Sequence, residues 1–289
     1  MEIDRVSIVV PTYNEEEAIG GDIEVIQETM DASRWEYELI VVNDASTDGT
    51  ARVVRGYDRV KLLEHEQNRG GGFSRNTGIK ASTGDVVVVT DGDGTYPNQD
   101  MPRLLEMMEE KNSDMVVGAR IKEAGTLKFL RLPAKWFIRK LASWMSGFHI
   151  PDLNSGLRAI RKDVFMKYME LLPWGHSWVS TITLALLSSG YNVNYLDIDY
   201  YPRKGTSTFH PIKDTLGYIT LVIRTVTWFN PLKVFMPMAL VVGLVGVGRL
   251  IYDLITQPLH VTPSAVILII AAIQVAMLGL LADLIVKRR

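Results

Sequence analysis

The segment Asp85-Val-Val-Val-Val-Thr-Asp-Gly-Asp93 decides the fold class. Its four consecutive valines form a β-branched run that is typical of a strand, and polar residues follow directly. Comparable runs alternate along the chain with stretches of helical pattern. The runs cover residues 6–10, 38–42, 60–63 and 114–117, and the helical stretches cover 15–30, 48–57, 73–81 and 101–111. This alternation predicts an α/β domain with a parallel, doubly wound sheet.

Polar residues follow four of the five predicted strands. They occupy positions 11–15, 43–48, 90–93 and 118–120. In an open parallel sheet, ligands bind beyond the carboxyl ends of the strands. The sequence therefore predicts that these four strand ends form one functional rim.

Asp91 and Asp93 are the candidates for metal binding at this rim. Two carboxylates separated by one glycine at a strand end repel each other unless a cation lies between them. Hard oxygen ligands, completed by a bound diphosphate, suit Mg²⁺ or Mn²⁺. The spacing Asp-x-Asp occurs in many turns, so its position at a strand end is what favours a metal site. Asn14, at another strand end, is interpreted as a helix N-cap.

The run Asn68-Arg-Gly-Gly-Gly-Phe-Ser74 has two interpretations. It lacks the Lys-Ser/Thr pair of a Walker loop. In one interpretation it is a loop that needs the backbone freedom of glycine close to a nucleotide. In the other it is an ordinary turn, and the sequence leaves both open.

Charge and composition exclude several classes of function. The chain of 289 residues has 31 Lys and Arg against 33 Asp and Glu, so no global positive field favours nucleic acid as a partner. The absence of cysteine excludes disulfides, thiolate metal sites and cysteine nucleophiles, and the five histidines lack the spacing of metal ligands. The start Met-Glu-Ile-Asp-Arg does not fit a secretory signal, so we expect the N-terminal domain, residues 1–211, in the cytosol.

Two apolar stretches predict a transmembrane hairpin over residues 231–289. Residues 261–282 carry no formal charge over 22 positions, which is enough to cross a hydrocarbon core about 30 Å thick at about 1.5 Å per residue. We place the two spans at about 234–254 and 261–283. The alternative is a hairpin buried within a soluble protein.

The charges that flank the hairpin predict its orientation. Lys233 precedes it and Lys287, Arg288 and Arg289 follow it, whereas the connecting residues 256–262 contain no Lys or Arg. Basic flanks stay on the cytosolic side, so both ends should face the cytosol. Three small residues of the first span would permit close helix packing and thus self-association; they are Gly243, Gly246 and Gly248.

Two further stretches, residues 127–147 and 212–230, have an amphipathic pattern. Apolar residues recur at helical spacing in the first, and basic residues recur on another face. Such helices lie in the membrane interface, and next to a predicted hairpin we expect that location. The alternative is that both are ordinary helices packed on the sheet.

Taken in order, four motifs resemble the family 2 glycosyltransferases of the GT-A fold. They are Val10-Pro-Thr-Tyr-Asn-Glu15, Val42-Asn-Asp-Ala-Ser-Thr-Asp-Gly49, Asn68-Arg-Gly-Gly-Gly with Arg75, Asn76 and Gly78, and Asp91-Gly-Asp-Gly94. Two later motifs resemble the dolichol-phosphate-mannose-synthase-like branch, which transfers sugars to polyprenyl phosphates; they are Asp152-Leu-Asn-Ser-Gly-Leu-Arg158 and Tyr201-Pro-Arg-Lys-Gly-Thr-Ser207. The resemblance covers about residues 6–215, and a membrane hairpin after such a domain is also usual in that family.

The resemblance implies roles on the donor side. Pro11, Tyr13 and Glu15 would line the base pocket, Asp44 would bind the nucleoside, and Asp91 with Asp93 would hold ribose, diphosphate and metal. Relatives that resemble the mannose synthase often carry a Gln able to join the metal site where Thr95 stands here. The sugar and the complete ligand set are therefore left open.

The reaction implied is an inverting transfer from a UDP- or GDP-sugar to a polyprenyl or dolichyl phosphate. An ionised phosphate needs no strong general base, so catalysis reduces to positioning and charge neutralisation. Asp91, Asp93 and Arg203 are the expected catalytic residues. The candidates for binding the acceptor phosphate and the diphosphate are Arg120, Lys135, Ser155, Arg203 and Ser207.

Two other functions stay open at the level of the sequence. One is a family 2 glycosyltransferase that acts on a hydroxyl of another lipid or glycan, which would need a base. The other is a non-catalytic membrane adaptor that keeps a nucleotide-binding fold. The expected partners of the first hypothesis are a nucleotide-sugar, a polyprenyl phosphate and membrane lipids.

Overall fold

The computed structural model describes residues 2–120, 140, 143, 147–175, 177–202, 220, 223–224, 226–228, 230–256 and 261–287. Within these residues a seven-stranded sheet is covered by helices on both faces, and two long helices follow it. The predicted interfacial stretches 127–147 and 212–230 lie almost wholly outside the described residues and remain predictions.

The strands are β1 (Arg5–Thr12), β2 (Glu36–Asn43), β3 (Val60–Glu64), β4 (Val86–Val89), β5 (Met115–Arg120), β6 (Arg158–Arg161) and β7 (Val193–Ile198). The helices are α1 (Ile19–Asp31), α2 (Thr50–Val54), α3 (Gly71–Ala81), α4 (Met101–Glu110), α5 (Lys162–Tyr168), α6 (Trp178–Ser188), α7 (Leu232–Thr256) and α8 (Pro263–Lys287). Short 3₁₀ helices cover Asn98–Asp100 and Met169–Leu171.

The sheet has the strand order β3-β2-β1-β4-β6-β5-β7. All neighbouring pairs are parallel except the two that β6 makes, with β4 and with β5. The predicted α/β class and all five predicted strands are confirmed. Strands β6 and β7 were not predicted from the sequence. The four residues of β6 begin and end with arginine and carry no strand periodicity.

Strand β4 explains why the sheet is covered on both faces. Val86 and Val88 point into one core and Val87 and Val89 into the other, and each is at most 1% exposed. Helices α1 and α4 supply side chains to the first core, and α3, α5 and α6 to the second. Each such side chain contributes about 1.5–3 kcal/mol by leaving water, so a run of four valines is stable only between two layers.

Helices α7 and α8 form the C-terminal hairpin. Each has 25 residues, or about 37 Å at about 1.5 Å per residue, and apolar side chains are exposed along both. Both are long and apolar enough to cross a membrane. Asp253, near the end of α7, accepts hydrogen bonds from the backbone N–H and hydroxyl of Thr262, just before α8.

Glycines bring the two hairpin helices together. A β-carbon at Gly246 would lie 3.0 Å from Leu268 Cβ, one at Gly279 2.6 Å from Phe235 Cβ, and one at Gly243 3.4 Å from Ala272 Cβ. Two of the three glycines predicted to support self-association therefore face the partner helix of the same chain. Only the third, Gly248, has open space around it within the described structure.

The base of α7 rests on the α/β domain. Val234 packs against a small core that contains Ile150, Leu153, Leu184 and Leu187. Residues 150–153 lead directly into β6, so the hairpin and the sheet share one packed cluster.

Candidate active site

Four loops meet at one rim of the sheet. Strands β2, β1 and β4 are neighbours and parallel, so the residues after each lie side by side. Because β6 is antiparallel to β4, residues 152–157 reach this same rim at its beginning. The structure thus brings the predicted residues that follow β1, β2 and β4 together with Ser155 at one rim. Three predicted residues, Lys135, Arg203 and Ser207, lie outside the described part of the chain.

The Asp91 carboxylate lies between the guanidinium of Arg75 and the backbone of Gly156. The guanidinium of Arg75, a buried residue of α3, donates to Asp91 Oδ1. On the other side, a β-carbon at Gly156 would lie 2.5 Å from Asp91 Oδ2. The N–H of Gly156 donates to the hydroxyl of the buried Tyr96 at 2.6 Å. These contacts fix the direction of the Asp91 carboxylate.

Asp93 is held by the loop that contains it. The backbone N–H and the hydroxyl of Thr95 donate to Asp93 Oδ1 at 3.2 and 2.6 Å. Thr95 itself is fully buried, so its side chain orients Asp93. Gly94 has φ +71°, a left-handed conformation that favours glycine.

Asp22 of α1 lies beneath this loop and was missed by sequence reasoning. Its carboxylate accepts the N–H of Gly94 and the side-chain amide of Asn98, both at 2.9 Å. Burial raises the pKa of Asp22 to about 7; the Gly94 N–H acts against this, while Asp93, Asp91 and Glu15 raise it further. The sequence did contain a sign of this role: Asp22 is an acidic residue on the apolar face of α1, next to the buried Ile19, Ile23 and Ile26.

Asp91 and Asp93 fit a hard divalent cation. Both supply carboxylate oxygens, the ligand type that Mg²⁺ and Mn²⁺ prefer. Among the described residues, no group of three or more His, Cys, Asp or Glu side chains is arranged to hold a metal. This donor set suits an ion that takes its remaining ligands from water and a bound diphosphate.

Asp44 anchors the glycine-rich loop. It is 2% exposed, and its oxygens accept the N–H groups of Arg69 at 3.0 Å and Gly70 at 2.7 Å. His65 Nδ1 lies 2.7 Å from Asp44 Oδ1, and His65 Nε2 lies 3.0 Å from Thr77 Oγ1. The structure thus places Asp44 at the rim but below its surface.

The glycine-rich segment of residues 68–72, which comprises the loop before α3 and the start of that helix, needs glycine because it packs against another segment of the chain. Gly70 has φ +90°, and a β-carbon at Gly72 would lie 2.5 Å from the carbonyl oxygen of Pro173. The N–H of Phe73 donates to the carbonyl of Trp174 at 3.1 Å. Of the two interpretations of this loop, the structure supports a need for glycine freedom, but the contact that requires it is with residues 173–174.

The loops after β1 and β2 are joined by Asn14. Its side-chain oxygen accepts the N–H of Thr47 at 2.8 Å, and its N–H donates to Ser46 Oγ at 2.9 Å. Helix α1 begins only at Ile19, so the interpretation of Asn14 as an N-cap is wrong. Its φ of 55° lets it bridge two loops instead.

Three residues that the resemblance assigns to the base pocket lie at or just beyond the end of β1. Pro11 is buried within β1, Tyr13 is 43% exposed just beyond it, and Glu15 is 9% exposed. Their role in a base pocket remains a prediction.

Arg120 and Asp152 form an almost buried ion pair. The Nε and Nη2 of Arg120 donate to the two Asp152 oxygens at 2.6 and 3.0 Å, and the two side chains are 11% and 12% exposed. Burial alone would raise the pKa of Asp152, but the charge and hydrogen bonds of Arg120 hold it below its ordinary value. Arg120 also lies 5.1 Å from the ring centroid of Tyr200.

The turn before β6 is fixed by Arg158. This fully buried residue donates to the carbonyl of Val179 at 3.0 Å, to Thr183 Oγ1 at 3.1 Å and to the carbonyl of Ser155. Burial, with the nearby Arg75, lowers the pKa of Arg158 to about 10. Ser155 is buried too, and its hydroxyl has no hydrogen-bond partner among the described residues.

Comparison with known proteins agrees with this geometry. The family described as Glycosyl transferase family 2 matches residues 7–169, more than half of the chain, and the one described as GtrB C-terminal hairpin matches residues 230–287. The dodecaprenyl-phosphate galacturonate synthase of Rhizobium johnstonii is 24% identical over 98% of this chain and 88% of its own. The dolichyl-phosphate hexose transferase of Haloferax volcanii is 30% identical over 72% of this chain and 88% of its own.

A solved structure shares the fold. The glucosyl-3-phosphoglycerate synthase of Mycobacterium tuberculosis, crystallised with Mn²⁺, UDP and phosphoglyceric acid, superposes with a TM-score of 0.62 at 18% identity, over 77% of this chain and 78% of that one. The α/β domain and the two long apolar helices thus correspond to known families, and the chain is associated with a membrane through its GtrB-like hairpin. This chain belongs to the family 2 glycosyltransferases, with a GT-A catalytic domain.

Proposed function

We propose that this enzyme transfers a sugar from a UDP- or GDP-sugar to a polyprenyl phosphate, with inversion at the anomeric carbon and with Mg²⁺ or Mn²⁺. The observation that carries the proposal is the path from the paired carboxylates to the hairpin. Gly156 contacts Asp91, and a few residues earlier Ile150 and Leu153 pack in the cluster that holds Val234 of α7. A donor site this close to a membrane hairpin suits an acceptor that is itself a lipid. The names of the two relatives support the same acceptor class.

On the donor side, Pro11, Tyr13 and Glu15 take the base. Asp44 contributes by holding the glycine-rich loop against the nucleoside, since its oxygens already accept hydrogen bonds from that loop. Asp91 and Asp93 hold the cation and, through it, the diphosphate. A bound cation would neutralise the charge that develops on the leaving nucleoside diphosphate.

On the acceptor side, Arg203 with Arg120, Lys135, Ser155 and Ser207 receives the phosphate. The attacking phosphate oxygen is already ionised near neutral pH and needs no strong base. The residues of the site therefore act by position and charge. Arg120 acts from within its pair with Asp152, which sets the direction of its guanidinium.

We further propose that the catalytic domain and both termini face the cytosol. Support comes from Lys233 in the first turn of α7 and Lys287 at the end of α8, opposite a connection without Lys or Arg. Nucleotide-sugars are then available on the side where the rim lies.

The test uses the full-length protein in detergent, with Mn²⁺ or Mg²⁺ and a panel of labelled UDP- and GDP-sugars. Polyprenyl phosphate and the corresponding polyprenol are matched acceptors, because they differ only in the phosphate expected to attack. We expect label in the lipid product with the phosphate alone, and mass spectrometry then identifies the sugar. Equal transfer to polyprenol would favour a hydroxyl acceptor, and nucleotide binding without any turnover would favour an adaptor.

A further inference from the structure

A chain of buried polar groups connects helix α1 to both ends of the Asp91–Asp93 segment. At the N-terminal end of this segment, Thr90 Oγ1 donates to Asn98 Oδ1 at 2.8 Å. Asn98 Nδ2 donates to Asp22 Oδ1 at 2.9 Å, and Asp22 Oδ2 accepts the N–H of Gly94 at 2.9 Å. Thr90, Asn98 and Asp22 are 0%, 1% and 6% exposed.

The position of Asp22 is unfavourable for stability alone. It occupies the apolar face of α1 between Ile19 and Ile23, where an apolar side chain would be buried without loss of hydration. It also adds a further acid near Asp91, Asp93 and Glu15. Asp22 instead provides a fixed hydrogen-bond acceptor for the backbone N–H of Gly94, the residue that follows Asp93.

We propose that Asp22, together with Asn98, is a positioning pair that sets the separation and direction of the Asp91 and Asp93 carboxylates. The pair fixes Thr90 on one side and Gly94 on the other, so the three residues between them have little freedom. Neither Asp22 nor Asn98 needs to touch the cation or the donor. The inference rests on the proposed function, because it is the cation and diphosphate site that the pair would shape.

The test exploits the direction of the hydrogen bonds. Asp22→Ala removes both acceptors, and Asn98→Asp removes the amide donor whose hydrogen bond Asp22 accepts. The double variant Asp22→Asn with Asn98→Asp restores every bond in the chain. The amide introduced at position 22 can accept from Gly94 and donate to the carboxylate introduced at position 98, which still accepts from Thr90. Glu28→Ala removes an exposed acid from the same helix and is the control.

Two measurements are made on the full-length protein. The first is hydrogen exchange at the Gly94 amide without metal or nucleotide, and the second is Mn²⁺ binding in the presence of UDP, followed by electron paramagnetic resonance. We expect each single variant to speed Gly94 exchange and to weaken Mn²⁺ binding about tenfold, as for other residues that orient metal ligands. The double variant should recover to within about threefold of the wild type, as a coupled pair requires.

Unchanged Gly94 exchange and Mn²⁺ binding in Asp22→Ala would overturn the positioning role, even in an active enzyme. A double variant as weak as the single ones, or one that does not fold, would also overturn it. A different outcome would separate the two proposals. If the wild type binds Mn²⁺ with UDP and the variants show the expected effects at Gly94, but the wild type transfers no sugar, the proposed function is overturned and the positioning pair stands. A wild type that binds no Mn²⁺ overturns both.

Discussion

Gly156 lies so close to Asp91 that a β-carbon at position 156 would be 2.5 Å from Asp91 Oδ2. The turn before β6 therefore forms one wall of the carboxylate site. Its approach is secured by the hydrogen bond from the Gly156 N–H to Tyr96 and by the buried Arg158.

Gly156→Ala should reduce turnover at least about tenfold while the protein remains folded, because a displaced Asp91 carboxylate loses transition-state stabilisation. The measurement is kcat and KM with the labelled donor, beside the thermal midpoint. Gly21→Ala is the matched control, since a β-carbon there meets nothing within 4 Å. Equal activity of the two variants would contradict the contact.

Removal of divalent metal should abolish sugar transfer, because the two carboxylates then repel the donor diphosphate. We expect EDTA to stop the reaction and Mn²⁺ or Mg²⁺ to restore it. Asp93→Asn should lower activity about a hundredfold or more even with excess metal, on the scale of a lost electrostatic group in a site. Full activity in EDTA would exclude a metal-dependent mechanism.

Asp152→Ala should destabilise the protein by about 3 kcal/mol, because it removes the carboxylate that pairs with the nearly buried Arg120 guanidinium. The measurement is denaturant unfolding at pH 7. Asp163→Ala is the control; Asp163 also pairs with an arginine, but its side chain is 56% exposed, so the expected loss is below about 1 kcal/mol.

The same pair predicts a pH dependence. The pKa of Asp152 is lower in the folded protein than in the unfolded chain, where it is about 3.9. Its contribution to stability is therefore fully present above about pH 4 and disappears as the pH falls through the lowered folded-state pKa. The difference in stability between the wild type and Asp152→Ala should shrink in that acidic range and stay constant from about pH 6 to about pH 8.

Gly279→Leu should weaken the hairpin, because a β-carbon there would lie 2.6 Å from Phe235 Cβ and the helices would have to separate. Overpacking of this kind costs about 1–3 kcal/mol, which the thermal midpoint in detergent would register. Gly248→Leu is the control, because the space around Gly248 is open within the described structure. A comparable loss in both variants would argue that Gly248 packs against a second copy of the chain.

Residues at strand ends could be predicted from the sequence, whereas those that support them could not. Asp91 and Asp93 follow a run of valines, so their position at the rim needed only local pattern. Asp22 and Gly94 are 72 residues apart, and no local rule connects them. Asn14 is a case in which a local rule gave the wrong result. Its preference for a helix N-cap predicted a cap, but its side chain accepts a hydrogen bond from the distant Thr47 instead.

The described structure does not test the predictions for several acceptor-side residues and for the two amphipathic stretches. Lys135, Arg203 and Ser207 and most of residues 127–147 and 212–230 lie outside the described structure, so their roles rest on pattern and resemblance. The roles of Arg75 and Gly156 emerged only when Asp91 had neighbours in space. Arg75 contacts it from α3, 16 residues earlier, and Gly156 from the turn before β6.

The antiparallel course of β6 determines which part of the chain can vary without disturbing the sheet. Strand β5 ends at the rim with Arg120, and β6 begins at that rim with Arg158. The intervening stretch therefore departs from and returns to one edge of the sheet, and its length and composition are free of the register between the two strands. A substitution before Ile150 can therefore alter Lys135, the acceptor residue that we propose there, while the pairing of β5 with β6 and the contact of Gly156 with Asp91 stay in place.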